Sequence, residues 1–371
     1  MSRRAEIAPI LIAALAACTV FAGVGGVSPA AAQSIPLSPV AEASGAQITY
    51  SLGYEFVTVD VHNNPAFTRP GFEGNTAYGR GSVAEPFRIG RFEVTTAQWV
   101  QFFNAWSYVS ATDGVVPFVQ IPGGQFWGAL PAANPYGAGQ GWRVPAGNEM
   151  RAVGNISWRT AAILCNWLCN NQAITRDAFM NGAYDVSTFG YVNGAVFTDQ
   201  FTHNPGAQYF IPSLDQWIAA AHYDPNRYGT GQPGYWLWAN ARETATLLGV
   251  PGVGEANWGI QPNGELIPLG AYPTIQSPWG LLDTAGGTSE WTESIFQRSV
   301  GDRFRYIDGS SWFDSNEADT ISGIPSDFPS FSPLYYGIRI ASAVPGPGTA
   351  GMLVPLAFIL SHRRRPHEPL R

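Results

Sequence analysis

An α+β domain with few helices, short strands and a high loop content is the fold class this sequence predicts, and three observations predict it. Of 371 residues, 42 are Gly, 29 Pro, 21 Phe and 13 Trp. Such a composition favours turns and packed loops over a helical bundle. Short β-like runs cluster early, at QITYSL (47–52), EFVTVDV (55–61) and PFRIGRFEV (86–94). Helical patterns follow in the middle, and beyond about residue 225 the chain reads as turns and short strands.

Three helices are predicted. In TTAQWVQFFNAW, Trp99, Phe102, Phe103 and Trp106 repeat at helical spacing, and Thr95 or Thr96 supplies the N-cap. In SWRTAAILCNWLCN, Ser157 is the cap, and Trp158, Ala161, Ala162, Cys165, Leu168 and Cys169 share a face. In SLDQWIAAAHY, Ser213 and Gln216 form a capping box ahead of an apolar stripe of Leu214, Trp217, Ile218 and Ala221. Cys165 and Cys169 lie one turn apart with roughly parallel side-chain vectors. That geometry suits a disulfide poorly, so they read as buried free thiols. No internal repeat interrupts 47–342, which reads as one domain after a Ser/Ala/Pro linker at 33–46.

Charge excludes one class of partner. The net charge is −7, charged residues make up 13% of the chain, and all twenty basic residues are Arg. A basic nucleic-acid groove is not expected from such a chain.

The two ends read as addresses. Arg3 and Arg4, an apolar stretch from Ile7, and AAAQ with cleavage after Ala32 make 1–32 a predicted secretory signal peptide. Cys18 in LAAC fits a lipoprotein signal less well, because the apolar run continues past it. At the other end, 343–371 holds a Pro/Gly turn and an apolar run from about Thr349 to Leu360. Arg363, Arg364 and Arg365 follow. The run is about 12 residues, short of the ~20 a spanning helix needs. It resembles the PEP-CTERM tails cut by exosortases, with VPGP in place of Val-Pro-Glu-Pro. The alternative is a weak anchor that stays attached. Both ends imply an exported protein at the cell surface or outside it, with transient membrane association through the tail.

Five blocks carry a further resemblance: FRIGRFEVTTAQWVQFFNA, GNISWRTAAILCNWL, YFIPSLDQWIAAA, WGLLDTAGGTSEWTES, and YIDGSSWFDS with YYGIRIAS. In this order, across about Phe87 to Ser342, they resemble the formylglycine-generating enzyme family, or sulfatase-modifying-factor domain. The resemblance implies an elaborated C-type-lectin-like α+β fold.

The resemblance also implies structural calcium. Asp283 and Glu290 would supply side-chain oxygens, and Gly286 and Thr288 carbonyls. Calcium favours several hard oxygens on a flexible loop, and glycine lets the backbone curl around an ion. The plainer reading of these residues is a tight turn with Glu290 capping backbone donors. A weaker second calcium site would begin at EANWG, with the Asn257 side chain and the Trp258 carbonyl. The later Asp of that site has no clear match, and Asn263 or Glu265 would have to replace it.

Catalysis is where the chain departs from the family pattern. The family's enzymes hold copper on two Cys five apart, just after the Gly-Ser-Trp block, and oxidise a substrate Cys. Here the ungapped register puts Asp314 and Asp319 at those positions. Carboxylates are hard ligands and cannot replace thiolates for Cu(I), so copper is not expected. His62, His203 and His222 have no iron-binding spacing, and no other catalytic motif appears. Asp314, Glu317 and Asp319 could take a hard cation, but a solvated acidic loop is the preferred reading. Three function classes follow: a non-catalytic, calcium-stabilised domain for a protein or glycan ligand, a divergent oxidase of the family, and a structural envelope or matrix component.

Overall fold

The structure, a computed structural model, describes residues 46–119, 128–192, 196–260, 263–299 and 302–344. The expected signal peptide, nearly all of the linker and the expected sorting tail lie outside these residues. Among the described residues no helix is long and apolar enough to cross a membrane.

The chain opens with β1 (Ile48–Ser51), β2 (Tyr54–Val59) and β3 (Phe87–Gly90), then α1 (Thr96–Thr112). A hairpin of β4 (Leu130–Ala133) and β5 (Gln140–Arg143) precedes α2 (Trp158–Cys169) and α3 (Arg176–Met180). Next come β6 (Tyr191–Val192), β7 (Val196–Phe197), β8 (Tyr209–Phe210), α4 (Leu214–His222), β9 (Tyr223–Asp224) and β10 (Gly234–Tyr235). A long irregular stretch leads to β11 (Ser289–Ser299), β12 (Asp302–Asp308), β13 (Ser326–Asp327), β14 (Tyr336–Gly337) and β15 (Ala341–Ala343).

Two sheets organise these elements. One runs β1-β2-β3-β15-β8, so the last strand sits inside the sheet rather than at its edge. The other runs β13-β12-β11-β14. Strand alternation splits the first sheet between two apolar layers. Tyr54 and Phe56 face the larger core with Trp99, Phe102, Trp158, Cys165 and Trp291. Val57 and Val59 face a second core with Ile89, Leu214, Ile218 and Tyr306.

The three predicted helices form where capping and periodicity place them. Thr95, rather than Thr96, caps α1, and Gln98 completes a capping box. Ser157 caps α2. Ser213 and Gln216 form the expected box on α4. Each such cap stabilises by about 1 kcal/mol. Helix α1 continues past Trp106 to Thr112, and the short α3 carries no periodic signal long enough to read. Both thiols among the described residues are free, Cys165 buried and Cys169 half-buried. Burial pushes the Cys165 thiol well above its usual range, so it is an inert packing group.

The long ladder of β11 and β12 was not expected. It pairs Glu290 with Asp308 and Trp291 with Ile307, with register shifts farther along. Its pattern is hidden because charged side chains take core positions: Glu290, Glu293, Arg305 and Asp308 are all buried. Arg305 lies 3.7 Å above the Trp158 ring and donates to the carbonyls of Gln200 at 2.7 Å and Phe201 at 2.9 Å. Fully enclosed, its guanidinium has its pKa lowered to about 10 by burial.

At the end of α4, His222 is fully buried, and its Nδ1 lies 3.1 Å from the Trp236 carbonyl. Burial lowers its pKa from 6.5 to about 3. The fold therefore holds the neutral ring, and its contribution to stability is complete above about pH 6.5. It is lost as pH falls toward 3. Urea unfolding at pH 7 and pH 4.5 should show a larger loss on acidification for the wild type than for His222→Gln. The expected excess is about 2–3 kcal/mol, from roughly 1.4 kcal/mol per pH unit. Comparing the two proteins cancels the buried carboxyls, whose raised pKa values act in the opposite sense. Equal losses would show that His222 is charged in the fold.

Candidate functional site

Arg339, in the segment between β14 and β15, is fully buried at the centre of the 283–291 loop. Its Nη2 donates to Glu290 Oε1 at 2.7 Å, and its Nε lies 3.0 and 3.1 Å from the two Glu290 oxygens. Nη1 donates to the carbonyls of Gly90 at 3.0 Å and Arg91 at 2.8 Å. Nη2 also reaches the carbonyls of Leu282 at 3.0 Å and Asp283 at 3.2 Å. From α4, Trp217 Nε1 donates to Glu290 Oε2 at 2.7 Å. The planar guanidinium thus joins the end of β3, the loop before β11, and β11 itself.

Two glycines let other polar groups approach this loop. Gly286 and Gly287 have φ of +83° and +71°. A Cβ on Gly286 would lie 2.1 Å from Asn257 Oδ1, and one on Gly287 2.2 Å from Glu93 Oε1. Into that space come Asn257 Oδ1, which accepts from the Gly287 amide at 2.6 Å, and the Glu93 carboxylate, which accepts from the Thr288 amide and hydroxyl at 3.0 and 2.5 Å. Glu93 is buried, and burial, followed by the nearby Glu290 charge, pushes its carboxyl well above the usual range.

These contacts decide how the expected calcium ligands fit. The structure does bring Asp283, Gly286, Thr288 and Glu290 into one loop, and it brings Asn257 against that loop rather than to a separate site. Glu290, however, accepts four contacts, three from Arg339 and one from Trp217, which is the whole capacity of a carboxylate. Asp283 Oδ2 accepts from the Gly270 amide at 2.7 Å, and burial raises its pKa to about 6. A guanidinium therefore occupies the Glu290 carboxylate that the resemblance assigned to a metal. The set Asp283, Gly286, Thr288 and Glu290 does not fit calcium, because its strongest ligand is filled by a cation already present. Of the weaker second set, Asn257 Oδ1 is likewise engaged by the Gly287 amide. Among the described residues, no three His, Cys, Asp or Glu side chains converge as a metal-binding group.

The two aspartates at the copper positions turn to different places. Asp314 accepts from the Ser311 hydroxyl at 3.0 Å and is half-buried. Asp319, in a 3₁₀ turn at Asn316–Asp319, points inward and accepts from the Ser310 amide at 2.9 Å. It is 1% exposed, so the expected solvated acidic loop holds for Glu317 but not for Asp319. Beside Asp314, Phe313 lies flat against Tyr335, with centroids 5.0 Å apart and planes 2° apart. Phe313, Phe331 and Leu334 are exposed at 43%, 53% and 37%.

Sequence reasoning missed Arg339, Glu93 and Asp308 as members of this layer. Arg339 and Glu93 stood in quoted blocks, but a single charge in an apolar stretch does not show which distant charge it meets. One usable signal was the mismatch itself: burying a charge between the two isoleucines of GIRI demands an opposite partner elsewhere.

Removing one member of the Arg339–Glu290 pair should destabilise strongly. Arg339→Met leaves Glu290 and four carbonyls without their donor, and an expected loss of about 3–5 kcal/mol follows. Arg339→Lys keeps the charge but not the fork, and most of that loss should remain. The double variant Arg339→Met/Glu290→Gln should recover part of it in denaturant unfolding. A loss below ~1 kcal/mol for Arg339→Met would show that the pair does not hold the loop.

No curated protein matches the chain. Among solved structures it is similar to CarF (22% identity, covering 80% of this chain and 100% of that one, TM-score 0.48). It is also similar to Treponema denticola variable protein 1 (16% identity, 81% and 99% covered, TM-score 0.47). A third is PvdO from Pseudomonas aeruginosa (13% identity, 80% and 98% covered, TM-score 0.44). These likenesses are too distant to carry an argument about activity. The family description "Sulfatase-modifying factor enzyme 1-like domain" matches residues 64–344, three quarters of the chain and the whole of the ionic layer described above. With its blocks meeting around Arg339 and Glu290, the chain belongs to the sulfatase-modifying-factor (FGE-sulfatase) family.

Proposed function

We propose that this is an exported, surface-sorted sulfatase-modifying-factor domain that binds a protein or glycan ligand and performs no copper oxidation. The observation that carries this reading is the divergence of Asp314 and Asp319. Copper oxidase chemistry needs two thiolates converging on one ion, and here two carboxylates face different partners. The only thiols among the described residues sit on α2, with Cys165 enclosed in the main core.

On this reading the ligand surface is the aromatic face beside Asp314. Phe313, braced by Tyr335, offers a rigid ring face, with Phe331 and Leu334 also exposed in the neighbouring loop. Rigid aromatic groups supply contact area at low entropic cost, and a flanking carboxylate adds hydrogen-bond acceptors. The export and sorting part of the reading rests on Arg3 and Arg4 with AAAQ, and on the apolar tail with its Arg block. An exosortase-type enzyme would be the processing partner.

Two measurements test the proposal. The purified domain, given Cu(I), oxygen and a sulfatase-type Cys peptide, should form no aldehyde above the copper-only background. Aldehyde formation would establish the divergent-oxidase alternative instead. Retention on envelope polysaccharide and on surface-protein fractions of the producing cell should fall about tenfold in Phe313→Ala, equivalent to ~1.4 kcal/mol. Unchanged retention would remove the aromatic face from the binding surface.

A further inference from the structure

Below the Asp314 loop, the turn after β12 holds two buried carboxylates side by side. The Gly309 amide donates to Asp308 Oδ1 at 2.9 Å, and the next amide, Ser310, donates to Asp319 Oδ1 at 2.9 Å. Successive amides therefore fix the two groups as neighbours. Each residue is 1% exposed. The second oxygen of each, Oδ2, is enclosed and has no hydrogen-bond partner among the described residues. Neither aspartate has an ion-pair partner among the described residues, and the Arg339 guanidinium is engaged by Glu290.

A third polar group is enclosed at the same junction. The Ala239 amide donates to the Asp319 carbonyl at 3.0 Å, and Thr284 Oγ1 donates to the Ala239 carbonyl at 3.1 Å. The next residue, Asn240, is 5% exposed, and neither its side-chain oxygen nor its nitrogen has a partner among the described residues. The Thr284 carbonyl lies 3.7 Å from the Cβ position of Gly309.

Two enclosed carboxylates, each with one unpartnered oxygen, and an unpartnered carboxamide on the residue after Ala239 are costly unless something satisfies them together. A neutral guest does this poorly. A water can donate to both oxygens, but it relieves the like charges only if a carboxyl also takes up a proton. Burial pushes Asp319 up to about 7 and Asp308 well above the usual carboxylate range, the second also through the charges of Glu290 and Asp319. A hard divalent cation relieves both problems at once, and its preferred donors are carboxylate, carboxamide and backbone oxygens. We propose that Asp308 Oδ2, Asp319 Oδ2 and the Asn240 carboxamide oxygen form a buried site for one hard divalent cation of the calcium class. The site shares no residue with the calcium ligands that family resemblance implied, and it takes in Asp319, which stands at one of the two copper positions.

Trp217 provides a direct readout, because its Cζ2 lies 3.4 Å from the Cβ position of Gly309. Terbium, a calcium substitute, should show Trp-sensitised emission when added to chelator-treated full-length protein. One ion per chain is expected, displaced by calcium more readily than by magnesium. Calcium should raise the melting temperature of the wild type by several degrees. Asp308→Asn and Asp319→Asn should each weaken binding at least tenfold and remove that rise. Near-UV circular dichroism in chelator, unchanged in both variants, reports that the fold survives the near-isosteric replacements. Asp283→Asn should bind as the wild type does. Absence of stoichiometric terbium or calcium binding by the wild type would overturn the proposal and leave a water-filled junction. So would binding lost in Asp283→Asn but kept in Asp308→Asn, which would return the ion to the 283–290 loop.

Discussion

The contact between Arg339 and Glu290 is the constraint on which the rest of this domain depends. Neither group could be enclosed alone, because an isolated buried charge is unstable by several kcal/mol. Together they are enclosed only if the donors and acceptors around them are complete. Arg339 therefore draws in carbonyls from Gly90, Arg91, Leu282 and Asp283, while Glu290 takes the Trp217 indole. These partners come from both sheets and from α4. The irregular segments between them have little secondary structure of their own, so the ion pair supplies the register that a hydrogen-bond ladder supplies elsewhere.

The same logic favours Arg over Lys at the buried basic positions of a chain whose twenty basic residues are all Arg. Arg91 pairs with Glu55 at 2.6 Å, Arg159 grips both Asp199 oxygens at 2.8 Å, and Arg305 spreads over Trp158 while binding loop carbonyls. A loop-rich interior leaves many carbonyls facing inward. A guanidinium has five donors in one plane and can satisfy several of them, whereas an ammonium is a compact, strongly hydrated charge.

Much of the fold was legible in the sequence, and less of the site. Helices α1, α2 and α4 announced themselves because a cap and an apolar stripe are both local signals. Thr95 with Gln98 and Ser213 with Gln216 need nothing beyond three residues of spacing. The β11–β12 ladder was hidden, since Glu290, Glu293, Arg305 and Asp308 break its apolar pattern and are balanced only by residues far away in sequence. The site failed to show for the same reason. Resemblance placed Asp283, Gly286, Thr288 and Glu290 in one loop, and they do share it. It could not say that Arg339 fills the Glu290 carboxylate, or that Asp319 turns toward Asp308 while Asp314 faces Ser311. Side-chain direction in a loop is set by tertiary neighbours, and spacing carries no information about it.

Strand β15 lies between β3 and β8, although it is the last strand made. Ala341 pairs with both Ile89 and Phe210, so two parts of the sheet meet only through the final residues of the domain. Arg339 stands two positions earlier, and the buried charges it neutralises wait for it as well. A chain that emerges N-terminus first, from a ribosome or through a membrane pore, must therefore remain incomplete until residues near 343 are free. Long-range closure of this kind is slow, because loop entropy is lost before the contacts that offset it form. The topology thus acts as a timing device: folding is postponed until residues near 343 have emerged, and a chain cut short before Arg339 has neither a continuous sheet nor a charge-balanced core.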